Sequence, residues 1–200
     1  MALEVDGERL LEEEVLEFIA LLLIAAHVTT SHLIGSAVQC LLEYPAALDR
    51  LRADPSGIPA AIEEVLRYRS PVQAASRVPV RDVELGGWTI RAGQEVLAWI
   101  GSANRDEARF EDPDAFDITR RPNPHIAFGL GEHTCFGAVL ARLQARVALS
   151  AILERLPHLE RVDDEPLEPN RNPLLLGTVC LPVRFAPGLW PHGDRSAPRP

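Results

Sequence analysis

The sequence predicts a mainly α-helical protein carrying small β-sheets. Two long proline-free stretches, residues 10–43 and 136–156, hold apolar positions at helical spacing. Between them lie short β-branched and aromatic runs punctuated by glycine. The 200 residues are 46% apolar and 24% charged, the balance of a globular chain.

Taken in order, residues 10–43 contain no proline and Gly35 as their only glycine, which predicts one long helix. At roughly 30 residues it spans about 45 Å. Its middle is apolar nearly all round, the pattern of a helix running through a core. The most apolar run, residues 18–26, is nine residues long. A membrane span needs about 20, so a buried helix is expected and not a span. Pro45 opens the next unit. Residues 46–53 read as a short helix broken by Pro55 and Gly57, and residues 56–68 as another that ends before Pro71.

The pattern then changes. Residues 75–80, 83–85, 88–90 and 95–100 read as short strands, with Gly86-Gly87 and Ala92-Gly93 as turns. Residues 105–124 are polar and carry three prolines, so an irregular packed loop is expected. Residues 128–137 hold three glycines in ten positions, and a clean helix follows over residues 136–156. Residues 174–176 and 179–185 suggest a terminal hairpin around Gly177. Folded structure is expected over residues 1–185 and a disordered tail over the Pro/Gly-rich residues 186–200.

Charge and cysteine usage exclude several classes. The net charge is −9, and all 20 basic residues are arginine. Neutralising a phosphate backbone needs a basic surface, so nucleic acid is not an expected partner. The three cysteines, Cys40, Cys135 and Cys180, have no close pairing, which excludes a disulfide scaffold and a four-cysteine zinc site. Their odd number fits a reducing compartment. Residues 1–14 are acidic, unlike a signal or transit peptide, so a cytoplasmic protein is expected.

The most informative segment is Phe128-Gly129-Leu130-Gly131-Glu132-His133-Thr134-Cys135-Phe136-Gly137. A metal-bound thiolate needs backbone N–H groups close by, and glycine lets the chain approach and adopt positive φ. A helix N-terminus beside the sulfur favours the anion. This segment offers both, with the helix expected to begin at Cys135. Phe128 is placed to limit water access. The alternatives are a buried cysteine at a helix start and a zinc site of His125, His133 and Cys135, which lacks a fourth ligand.

Residues 128–137 resemble the haem-binding loop of the cytochrome P450 monooxygenases of the soluble bacterial type. The resemblance implies the C-terminal portion of that fold, with Cys135 as the axial ligand of haem b, iron protoporphyrin IX. It implies Phe128, Gly129 and Gly137 around the haem, and His133 and Arg77 as propionate contacts, the arginine through charge-assisted bonds. Glu64 and Arg67 stand three apart on one helix face and can bridge. They are similar to the family's structural Glu–Arg pair, whose network an arginine at the position of Arg120 completes. Ala25-Ala26-His27-Val28-Thr29-Thr30 resembles the oxygen-binding stretch of the central helix. Ala25 and Ala26 would lie beside the haem, and Thr29 would relay protons. Two departures stand out: Ala26 replaces the usual glycine and Val28 the usual acid. His27 lies about 100° round the helix from Val28 and is not its substitute. The resemblance further implies O2, a small organic substrate, and a ferredoxin or flavoprotein electron donor. It covers nearly the whole chain, and the N-terminal half of the family's domain has no counterpart in it.

Overall fold

The computed structural model describes residues 4–5, 7–162 and 166–186. The tail expected over residues 186–200 falls, apart from Ala186, outside the described residues. Five helices carry the fold among these residues: α1 (Glu12–Glu43), α2 (Pro45–Ala53), α3 (Ile58–Tyr68), α4 (Ile100–Ala103) and α5 (Ala138–Arg155). The strands pair two by two and antiparallel: β1 (Glu4–Val5) with β2 (Glu8–Arg9), β3 (Ala74–Arg77) with β6 (Val96–Trp99), β4 (Val83–Leu85) with β5 (Trp88–Ile90), and β7 (Glu160–Arg161) with β8 (Val183–Arg184).

The helices form where the sequence puts them, for local reasons. Glu12, Glu13 and Glu14 occupy the first turn of α1, where carboxylates complement the helix dipole. The Glu14 carboxylate also accepts from the Leu11 N–H at 2.7 Å. Proline sits in the first turn of both α2 and α3, where its missing N–H costs nothing. In the β4–β5 hairpin Gly86 and Gly87 have φ of 60° and 82°. Both central residues of that tight turn need positive φ, which glycine alone adopts without strain.

The core lies where α1, α3 and α5 cross. Leu33, Ala37, Cys40 and Leu41 of α1 meet Ile58, Ala61, Ile62, Val65 and Leu66 of α3, with Ala145 and Leu149 of α5 closing the third side. Only the C-terminal part of α1 takes part. Residues 12–28 are exposed, so the expected passage of the whole helix through a core is corrected: Leu23 is 68% exposed, whereas Leu33 is 1% exposed. By length and composition alone α1 is apolar enough to cross a membrane. Its most apolar 18-residue window has a mean hydropathy of 1.8, and 17% of it is buried. The nine-residue run of the sequence understated that stretch.

The terminal hairpin does not form as expected. The Leu176 N–H donates to the Pro71 carbonyl and the Gln73 N–H to the Leu174 carbonyl, each at 2.8 Å, so residues 174–176 pair with the segment before β3. Residues 183–184 pair with β7. Pro182 brings no N–H to a ladder, which disfavours a regular hairpin there. Asn170 and Asn172 turn the chain instead, their Oδ1 atoms accepting from the backbone N–H two residues on at 2.7 and 2.9 Å.

Candidate active site

The Cys135 loop is built from its glycines. Gly129 and Gly131 have φ of 74° and 75°, the left-handed region that side chains resist. A single 3-10 turn over Gly131–His133 follows, and the Gly131 carbonyl accepts both the Thr134 N–H at 3.1 Å and the Thr134 hydroxyl at 2.8 Å. The Cys135 N–H donates back to the Phe128 carbonyl at 2.8 Å and closes the loop. The thiol that results is exposed. Two expectations change. Helix α5 begins at Ala138 and not at Cys135, so the thiol lies just outside the helix and not at its first residue. Gly137 has an ordinary φ of −83° and open space around it, so backbone freedom does not require glycine there.

Three side chains hold this loop from behind, and two of them carry no sequence signal. Arg142 of α5 donates through Nε and Nη2 to the two oxygens of Glu63 on α3, at 2.7 and 2.8 Å. His125 Nε2 meets Glu63 Oε2 at 2.9 Å. The Arg142 guanidinium carbon stands 4.5 Å from the Phe128 ring centroid, and the His125 ring lies 6.4 Å from it. Burial alone would raise the Glu63 pKa, but the hydrogen bonds from Arg142 and His125 prevail and bring it down to about 2. The Glu63 hydrogen bond in turn raises Arg142. Glu63 and Arg142 are 79 residues apart, beyond the reach of any spacing rule. With His125 held by Glu63, the zinc alternative loses one of its three ligands. Among the described residues no group of three His, Cys, Asp or Glu could hold a metal ion.

Directly beside lies the Glu64 network. Glu64 and Arg67 are both 0% exposed, and Arg67 Nε and Nη2 reach the two Glu64 oxygens at 2.8 Å each. The Glu64 carboxylate also accepts from Arg120 Nε at 3.3 Å and the Asp117 N–H at 2.9 Å, both on Oε1, and from Asn123 Nδ2 at 3.1 Å on Oε2. Arg67 also donates to the carbonyls of Asn104, Pro113 and Ala115. A buried ion pair this completely satisfied avoids the penalty of an uncompensated charge and fixes the irregular loop on α3. Asn104, fully buried and absent from the sequence reading, extends the network to the cysteine loop. Its Oδ1 accepts the Ile126 N–H at 2.8 Å and its Nδ2 donates to Ser70 Oγ at 2.8 Å.

The remaining candidates lie apart. Ala25 and Ala26 are exposed on α1, and Thr29, half-buried, marks where the helix enters the core. The Thr29 hydroxyl donates to the Ala25 carbonyl at 2.7 Å, the usual bond of a mid-helix threonine. His27 and Val28, just before that boundary, are both exposed. Arg77 is exposed at the end of β3, its Nη1 donating to the Ser76 carbonyl at 2.7 Å, and His133 is exposed in the 3-10 turn. The structure thus joins Phe128, Gly129 and Cys135 in one loop and Glu64, Arg67 and Arg120 in one network. Among the described residues Thr29 and Arg77 make no hydrogen bond to the loop. Of the other cysteines, Cys40 is packed in the core, where burial pushes its thiol up to about 12. Cys180 is exposed.

Comparison with known proteins accounts for this combination. The family model described as Cytochrome P450 matches residues 58–185. The chain is 47% identical over 183 residues to Cytochrome P450 109 of Bacillus spizizenii, covering 91% of itself and 45% of that relative. It is 46% identical over 186 residues to Cytochrome P450 monooxygenase PikC of Streptomyces venezuelae, covering 92% and 44%. The crystal structure of CYP109E1 from Bacillus megaterium in complex with corticosterone superposes with a TM-score of 0.88 at 43% identity, over 91% of this chain and 49% of that one. The chain therefore spans about half the length of the relatives it matches.

Proposed function

The chain belongs to the cytochrome P450 family, and on that premise we propose that it is the haem-ligating part of a bacterial monooxygenase acting on a small organic substrate. Residues 1–185 form that part. In the reaction R–H, O2, a pair of electrons and a pair of protons give R–OH and water. The observation that carries the reading is the exposed Cys135 thiol on a loop shaped by two positive-φ glycines. A lone outward thiol among glycines suits an iron ligand and has no evident purpose in packing.

Haem b is the cofactor of this family, and when bound its iron supplies the reduction and cleavage of O2, aided by the electron density of a thiolate. The chain's own residues provide the rest. Cys135 would hold the iron, with Phe128, Gly129 and Gly137 flanking the sulfur. Arg77 and His133 are exposed cation-forming side chains suited to the propionates. Ala25 and Ala26 present methyl groups on the α1 side, and the Ala26 methyl narrows the space that a glycine would leave. The Thr29 hydroxyl has one donor, already spent on the Ala25 carbonyl. In this rotamer it accepts, so it orients a water that donates. Electrons come from a ferredoxin or flavoprotein in the cytoplasm.

A reduced carbon-monoxide difference spectrum tests the reading. A thiolate-type Soret band is expected, and it should vanish in Cys135→Ala. Failure to take up haem, or a band that survives the substitution, overturns it. Val28 favours a second reading, haem binding without turnover, because valine carries no proton at the position where the family places an acid. Substrate-dependent electron consumption separates the two.

A further inference from the structure

We propose that Glu63 is the positioning residue for Cys135, a single carboxylate that pins both flanks of the ligand loop to α3. Its oxygens are fully shared out. Oε1 takes Arg142 Nε, and Oε2 takes Arg142 Nη2 and His125 Nε2, all within 2.7 to 2.9 Å. His125 precedes the loop and Arg142 follows it in the second turn of α5, so the segment between them is held at both ends by one group. The paired contact with Arg142 fixes the guanidinium plane as well as its distance. That plane covers the Phe128 ring at 4.5 Å, and the Phe128 carbonyl receives the Cys135 N–H at 2.8 Å. Two steps, one ionic and one through an aromatic ring, thus connect Glu63 to the backbone that aims the thiol.

Stability does not account for the arrangement. The Glu63 and Arg142 side chains are 31% and 40% exposed. Ion pairs at such exposure contribute little to global stability. Glu64, its neighbour in sequence, is fully buried and already ties the irregular loop to the core. What Glu63 adds is local order between residues 125 and 142. Its low pKa is consistent with a carboxylate that stays ionised, and so keeps both partners, throughout the physiological range.

The joint rests on the haem-thiolate reading for its purpose but not for its geometry, and the experiment separates the two. Amide hydrogen exchange is followed by mass spectrometry in the whole chain for the wild type, Glu63→Gln, Arg142→Gln and Arg142→Lys. Exchange across residues 126–137 should accelerate about tenfold or more in all three variants while residues 58–68 and 33–41 stay protected. Arg142→Lys should not rescue, because an ammonium cannot make the paired contact. Urea midpoints should remain close to wild type. If Glu63→Gln fails to fold, Arg142→Gln carries the test, since its side chain is partly exposed. Unchanged loop exchange, or acceleration spread equally over α1 and α3, overturns the proposal. In haem-loaded protein the Glu63→Gln band should move from the thiolate type towards the thiol type. A wild type that takes up no haem overturns the monooxygenase reading and leaves the exchange result to decide the joint.

Discussion

At the residue scale, the two neighbouring glutamates of α3 divide their labour by burial. Glu64 faces inward and organises a satisfied ionic core, while Glu63 faces α5 and the cysteine loop. The first was legible because its partner Arg67 stands three positions along one helix. The second was not, because Arg142 and His125 come from distant segments that only the fold brings together. The cysteines show the same limit. The glycine pattern around Cys135 marked it out, but nothing in sequence separated core-packed Cys40 from exposed Cys180. Cys40 gives a pH prediction. Its folded pKa, raised by burial to about 12, exceeds that of an unfolded thiol at about 8.5. The folded state therefore holds more protons between those values, and stability falls as pH rises through them. Urea midpoints at pH 8 and pH 10.5 should differ more for the wild type than for Cys40→Ala. Equal differences would show that Cys40 ionises without reference to the fold.

At the element scale, helices and the β4–β5 hairpin were legible because their signals are local: apolar periodicity, first-turn prolines and a Gly-Gly turn. The terminal segment was not, because residues 174–176 pair with residues 71–73 across the molecule. Its position is set by α1. Asn170 Nδ2 and His32 Nε2 lie 2.8 Å apart, and a Cβ added at Gly177 would run into the His32 ring. Gly177 is thus required for close approach and not for a turn. Gly177→Ala should destabilise the chain by about 1–3 kcal/mol, the usual cost of overpacking. Gly35→Ala, a mid-helix position with open space around it, should be neutral or stabilising. Equal urea midpoints for the two variants would show that the terminal segment does not rest on His32.

At the scale of the whole molecule, the chain holds a compact helical core and a large apolar surface side by side. Leu33 is 1% exposed and Ile24 is 74% exposed, on the same helix. Leu33→Ala should cost about 2–5 kcal/mol, because it empties a packed site. Ile24→Gln should change unfolding by less than about 0.5 kcal/mol, since that side chain is not buried on folding here. Denaturant titration of both variants checks this, and comparable losses would mean that the first part of α1 is packed in solution. Mechanically, α1 is a cantilever. Its clamp is the stretch from Thr30 to Leu41 in the core, and its arm, residues 12–28, is about 25 Å of exposed helix. A beam deflects most at its tip and least at its root. Thr29 sits at the root, next to the clamp, so whatever bends the arm leaves the position of that hydroxyl almost unmoved.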